Sequence, residues 1–427
     1  MSILLLIILI ILFLINVPVA IAIGLSTVIV AVIGSDVPLI RLPQTLFSSL
    51  NSFPLLAAPF FILAGKLMQH GGISEKLINF ANSMVGSLRG GLAYVTIITC
   101  MFFAAISGSA IATMVAIGSI MVPAMVKKGF DRNFSSVLQA AGGAIGAIIP
   151  PSIPLVLYGV AAGVSIGDLF LAGIIPGVLV GGSLIFISFL YARKNDLRQV
   201  ETDLESQNPG LWVSFKEAFW ALLMPVIILG GIYGGIFTPT EASAIAVVYG
   251  FIVGKFVYKQ ITFGTMKKIF LSTVLTTSAL GLIIATASFF GMWLTIERVP
   301  HEIATAISEA NLSPLVTVIL INVFLLFLGT FMDASAALII STPILLPIVT
   351  SIGMDPIHFG IMMVVNLGIG LLTPPLGVGL FIASKVGDVK YEKLIKPALP
   401  FIIILIVDVI LIALFPQISV GLTNVFD

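Results

Sequence analysis

Residues 143–154 read Gly-Ala-Ile-Gly-Ala-Ile-Ile-Pro-Pro-Ser-Ile-Pro, inside an uncharged run over 133–167 that is long enough to cross a bilayer. Pro150 and Pro151 have no N–H, so an α-helix cannot pass through them, and the carbonyls of Gly146 and Ala147 lose their usual donors. Hydrocarbon cannot satisfy exposed backbone, so the break must be covered by protein or face a wet cavity. The arrangement occurs twice. Residues 370–378 read Gly-Leu-Leu-Thr-Pro-Pro-Leu-Gly-Val, where Pro374 and Pro375 free Gly370 and Leu371. Two matched broken helices in one membrane chain point to a transport site.

Composition places the chain in a membrane. Of 427 residues, 59% are hydrophobic and 9% charged, against about 25% charged in a soluble domain. A net charge of +1, with no basic tract, offers nothing to nucleic acid. Cys100 is the single cysteine, which leaves no disulfide and no cysteine-built metal site. The apolar stretch 3–34 is too long for a signal peptide and lacks a basic region before it, so it is expected to remain as the first span. The three histidines are scattered, and His-Glu-x-x-His and the phosphate-binding Gly-x-x-x-x-Gly-Lys are absent. An enzyme, or a chain that itself hydrolyses ATP, is not expected.

Residues 90–126 carry no charge, and their middle is Ser107-Gly108-Ser109, which suggests a re-entrant hairpin whose tip stays within the membrane. Residues 310–354 hold one charge, Asp333, at their centre and form the second hairpin candidate. A shift of 224 positions superposes 107–176 on 331–400 without a gap, matching four prolines, three glycines and Asp131 with their own kind. The reading is an all-α polytopic membrane protein of two inverted repeats, each with a re-entrant hairpin and a Pro-Pro-broken transmembrane helix. The first repeat covers 1–192, with hairpin 90–127 and broken helix 133–167. A cytoplasmic linker follows over 193–217. The second repeat, 218–427, has an extra span 218–236, hairpin 310–354 and broken helix 357–385. Arg89, Lys127, Lys128 and Arg132 flank the first hairpin, whereas 299–384 lack Lys and Arg, so the first should open to the cytoplasm and the second outward.

Such tips and breaks offer carbonyls and hydroxyls, the hard ligands an alkali cation prefers, and helix N-termini suited to a carboxylate. One sodium cluster would combine Ser107, Gly108 and Ser109 with Gly146, Ile149 and Ser152. Its mate would combine Gly329, Thr330, Met332 and Asp333 with Gly370, Thr373 and Leu376. Ser109, Pro151, Asp333, Ser335, Asn366 and Pro375 are the candidates for contacting the anion. Small residues at a tip also serve close helix packing, and Asp333 can cap the helix that follows it. Glu241 should cap the helix after Pro239, Asp408 lies alone in the last span, and Trp212, Trp220 and Trp293 should mark membrane interfaces.

Asn-Val-Pro-Val-Ala at 16–20, the Ser-Gly-Ser tip, the Ile-Pro-Pro-Ser break, Gly-Ile-Phe-Thr-Pro-Thr-Glu-Ala at 235–242, Asp333 and the Thr-Pro-Pro-Leu-Gly break resemble, from end to end, the large membrane subunit of TRAP transporters (tripartite ATP-independent periplasmic transporters). The resemblance implies an elevator of the ion-transporter superfamily in the bacterial inner membrane. It implies sodium-driven import of an organic carboxylate, with a separate small membrane subunit and a periplasmic substrate-binding protein as partners. A free-standing sodium–anion symporter, needing no binding protein, is the alternative.

Overall fold

The computed structural model describes all residues except 35–37, 39, 196–209, 311 and 427. Every regular element among the described residues is helical. Eight helices are long and apolar enough to cross a membrane, or nine if the bent pair 41–50 and 54–70 counts as one span. The linker expected over 193–217 falls largely on residues outside the described set; the flanking helices are Ile166–Lys194 and Leu211–Tyr233.

Both hairpins form. The first is Gly91–Ser107 and Ala110–Lys127, the second Pro314–Phe331 and Ala334–Ser351. Each is followed by a broken helix. The first runs Arg132–Ala144, tightens into a 3-10 turn over Ile145–Ala147, and resumes as Ile153–Ala162. The second runs Pro356–Gly370 and resumes as Val378–Gly387. Residues matched by the 224-position shift do the same local work. Gly129 and Gly353 take positive φ of 85° and 82° where a hairpin ends, a conformation that costs glycine nothing. Asp131 and Asp355 then cap the broken helices, accepting N–H groups from Phe134 at 2.8 Å and from Ile357 and His358 at 2.8 and 2.9 Å.

The broken helices are the core. Residues 134–148 and 358–372 are buried without exception, and these two stretches are themselves 224 positions apart. Around them, Phe263–Ile296 and Leu211–Tyr233 present apolar side chains such as Phe263, Leu271 and Val226 outward, as a lipid-facing shell does.

Two expectations change. Residues 3–34 are not one span but two helices, Ser2–Leu14 and Val19–Gly34, folded back so that a Cβ on Gly34 would strike the Met1 side chain. Pro18 and Asn16, at φ 60°, end the first helix. Shifted by 224, the pair overlaps the C-terminal part of Leu211–Tyr233 and most of Pro239–Ile252. Trp293 is fully buried, unlike the exposed Trp212 and Trp220. Asp408 accepts a hydrogen bond from Ser183 Oγ at 2.7 Å, joining the last span to Ile166–Lys194. Glu241 completes a capping box with Thr238, accepting its N–H at 2.8 Å.

Candidate functional site

Each hairpin tip docks on its own broken helix through a backbone hydrogen bond. The Ile153 N–H donates to the Gly108 carbonyl at 3.0 Å, and the Gly377 N–H donates to the Thr330 carbonyl at 3.1 Å. Ile153 and Gly377 are 224 positions apart, so the same point of each break reaches the tip. Both are among the first donors of a resuming helix, which have no partner within it.

The first tip is closely fitted. Gly108 sits at φ 60°, and a Cβ there would stand 2.5 Å from the Pro151 carbonyl oxygen. Ser109 caps Ala110–Lys127, accepting the Ala112 N–H at 3.3 Å. A residue missed in the sequence, Thr113, ties the cluster together. Its hydroxyl donates to the Ser109 carbonyl at 2.8 Å and lies 3.0 Å from Ser107 Oγ. Gly146 has no room for a side chain, since a Cβ would come within 2.6 Å of both Ser109 O and Thr113 Oγ1. Ser107, Ser109, Thr113 and Gly146 thus converge, with Ser107 and Thr113 buried. The Ala147 carbonyl, expected to be free, accepts the hydroxyl proton of Ser152, and that oxygen in turn caps Ile153–Ala162 through the Leu155 N–H. Ile149 turns away, against Gly177.

At the second tip Asp333 accepts the Ser335 N–H at 2.9 Å, so its capping role is realised. Gly329 and Gly370 meet backbone to backbone. The carbonyls that Pro374 and Pro375 were expected to free are both engaged: Gly370 accepts the Thr373 N–H at 3.0 Å, and Leu371 accepts the Gly379 N–H at 2.8 Å. The Thr373 hydroxyl donates to Ile369 O at 2.9 Å, which leaves its oxygen able to accept or ligate. Thr330 donates to Phe327 O, and the Met332 N–H donates to Leu328 O.

Both tips open on one cavity of about 590 Å³. Ser107, Gly108, Ser109, Asp333 and Ser335 line it together with Ala147 and Leu371 from the breaks. Its other wall comes from Ala57–His70 and Phe263–Ile296. Lys66 on that wall was missed as well; a lone lysine within the apolar run 53–67 was the available signal. Four expected contacts lie elsewhere. Asn366 lines a separate apolar cavity of about 360 Å³ and donates to Asn322. The Pro375 carbonyl accepts the Tyr391 hydroxyl at 2.8 Å, Leu376 is exposed, and Pro151 packs on Gly108 outside the cavity lining.

Known proteins share this sequence and fold. Residues 6–418 match the family described as "Tripartite ATP-independent periplasmic transporter, DctM component". The isethionate TRAP transporter permease protein DctMQ of Oleidesulfovibrio alaskensis is 47% identical over 92% of this chain, which spans 62% of that protein's length. The C4-dicarboxylate TRAP transporter large permease protein DctM of Pseudomonas aeruginosa is 42% identical, covering 94% of this chain and 93% of its own length. The sialic acid large permease SiaM of Vibrio cholerae is 40% identical over 90% of this chain and 89% of its own. Among solved structures, the YdaH transporter of Alcanivorax borkumensis superposes with a TM-score of 0.65 at 14% identity, covering 92% of this chain and 96% of that one. MtrF of Neisseria gonorrhoeae gives 0.52, also at 14% identity, over 92% of each chain. These two speak to fold alone. The chain is a multi-pass membrane transport protein and not an enzyme, and it belongs to the DctM, or large permease, family of TRAP transporters.

Proposed function

We propose that this chain is the large permease of a TRAP system that imports a carboxylate- or sulfonate-bearing organic anion by sodium symport. The observation that carries the reading is the single cavity on which both hairpin tips open. Two helix N-termini, those of Ala110–Lys127 and Ala334–Ser351, begin at its lining residues and favour an anion there. Relatives named for isethionate, C4-dicarboxylates and sialic acid bracket the substrate class.

Sodium is assigned to the two tip–break junctions. The first would use Ser107, Ser109, Thr113 and Gly146; the second would use Gly329, Thr330, Asp333, Gly370 and Thr373. Hydroxyls and carbonyls suit a hard cation that needs no anionic cage. The hairpins and broken helices, joined by the bonds at Gly108 and Thr330, would move as one body against the frame made by Ala57–His70 and Phe263–Ile296, in the manner of an elevator. Substrate would come from a periplasmic binding protein, and a small membrane subunit would complete the assembly in the bacterial inner membrane. The test is uptake into proteoliposomes holding both membrane subunits, with candidate binding proteins and labelled succinate, isethionate or sialic acid. Uptake should require an inward sodium gradient; equal uptake driven by protons without sodium would refute the coupling.

A further inference from the structure

Lys66 is the only lysine or arginine lining the shared cavity. Its Nζ donates to Ser272 Oγ at 2.8 Å and to Thr276 Oγ1 at 3.0 Å, both neutral acceptors on Phe263–Ile296. Among the described residues no carboxylate lies within pairing distance of Lys66. An ammonium at membrane depth is costly without a counter-charge and as a rule serves a function. Asp333, the acid in the same cavity, is committed to the Ser335 N–H at its own tip. Much of the remaining lining is apolar: Ile62, Ile111, Val115, Leu280 and Ile283.

The cavity therefore holds a fixed cation on an apolar wall, beside tips that supply N–H donors. The neighbour of Lys66, Gly65, brings that wall against the first tip, since a Cβ there would stand 3.1 Å from Ser107 Cα. We propose that Lys66 is the charge-reading residue of the cavity, binding an anionic group of the transported acid while Ser272 and Thr276 aim its ammonium. This rests on the reading of the cavity as the transport site. It adds that selection for a negative charge is made by the frame and not by the tips alone. In the moving-body picture the contact forms only while the tips are docked on this wall, so it should set affinity more than turnover.

The two membrane subunits in proteoliposomes, supplied with candidate binding proteins and labelled isethionate, succinate or sialic acid, provide the test. Lys66→Gln keeps an N–H donor, on a side chain one bond shorter, and removes the charge; Lys66→Arg keeps the charge. Loss of a hydrogen bond to a charged group corresponds to roughly tenfold to a hundredfold in affinity. KM for the transported anion should rise by about that factor in Lys66→Gln, with maximal rate and melting temperature little changed, and Lys66→Arg should recover most of the affinity. If the wild type transports one of these anions and Lys66→Gln does so with unchanged KM, the inference falls and the assigned function stands. A Lys66→Gln protein that melts lower and loses rate without a rise in KM would make Lys66 a structural tie and also overturn it. Wild-type uptake of none of the three would sink both.

Discussion

Gly370→Ala tests whether the contact between the second tip and the second break is the joint on which ion binding depends. A Cβ on Gly370 would stand 2.5 Å from Gly329 Cα, 2.6 Å from its carbonyl carbon and 2.9 Å from its oxygen. All three are backbone atoms, so no side chain can swing aside. Ordinary contact begins near 3.4 Å, and the two helices must part by close to an ångström. The Gly377-to-Thr330 hydrogen bond, now 3.1 Å, would then stretch past the useful range. Overpacking of this kind costs about 1–3 kcal/mol. If that strain is relieved by undocking the tip, the sodium site that needs the docked tip weakens by roughly fivefold to a hundredfold. The assay is the sodium concentration for half-maximal uptake, with folded yield read in parallel by size-exclusion chromatography. Gly182→Ala is the control, because nothing lies within 4 Å of a Cβ there. Alanine is the better helix former by about 1 kcal/mol. A Gly370→Ala protein with wild-type sodium dependence would refute the reasoning, since the joint would then be free to open without consequence.

Three further outcomes are expected. Thr113→Val and Thr373→Val should each raise the half-maximal sodium concentration, by about 1–3 kcal/mol of lost ligation; the double variant should add the two, and a double no worse than either single would mean one shared site. Lys127→Cys and Ser351→Cys, both at exposed hairpin ends 224 positions apart, should react with impermeant thiol reagents from opposite sides, and the buried Cys100 will not compete. Labelling of both from one side would overturn the inverted arrangement. Ser183→Ala should destabilise the protein by about 1–3 kcal/mol, because it leaves both oxygens of the buried Asp408 without a donor, whereas Asp408→Asn should not; equal melting temperatures for the two variants would contradict this.

The breaks and tips were legible because punctuation residues carry their meaning on their own. Proline removes a donor wherever it stands, and Ser109, Asp131, Asp333 and Asp355 cap helices by a mechanism that needs no tertiary context. What failed was the direction of side chains within apolar helices. Asn366 is a candidate for contacting the anion, yet it turns to Asn322 and a different cavity. Trp293 was assigned to an interface and is buried for the same reason. A helix apolar all round has no polar stripe from which a face can be read. The fold-back at 15–18 did leave a sign in Asn16-Val17-Pro18, but unbroken hydrophobicity over 3–34 outweighed it. A lone lysine in an apolar run carries no sign of what faces it; the packing of Phe263–Ile296 across Lys66 is what places its ammonium in a cavity.

The two junctions are alike in backbone and unlike in chemistry. The shift of 224 places Ile149 on Thr373 and Thr113 on Ala337, so each half has a threonine where the other has an apolar residue. In the first half the hydroxyl comes from the hairpin and meets Ser107 and Ser109. In the second it comes from the break and holds Ile369 O. Docking bonds in register at Ile153 and Gly377 preserve the joint while the ligand donor changes sides. A site whose hydroxyl rides on the hairpin loses that ligand whenever the tip lifts. One whose hydroxyl belongs to the break keeps it. Lifting the tip would therefore cost the proposed first site its threonine hydroxyl along with its tip ligands, and the proposed second site its tip ligands alone. If both junctions hold sodium as proposed, the first should be the more sensitive of the two to opening of its tip.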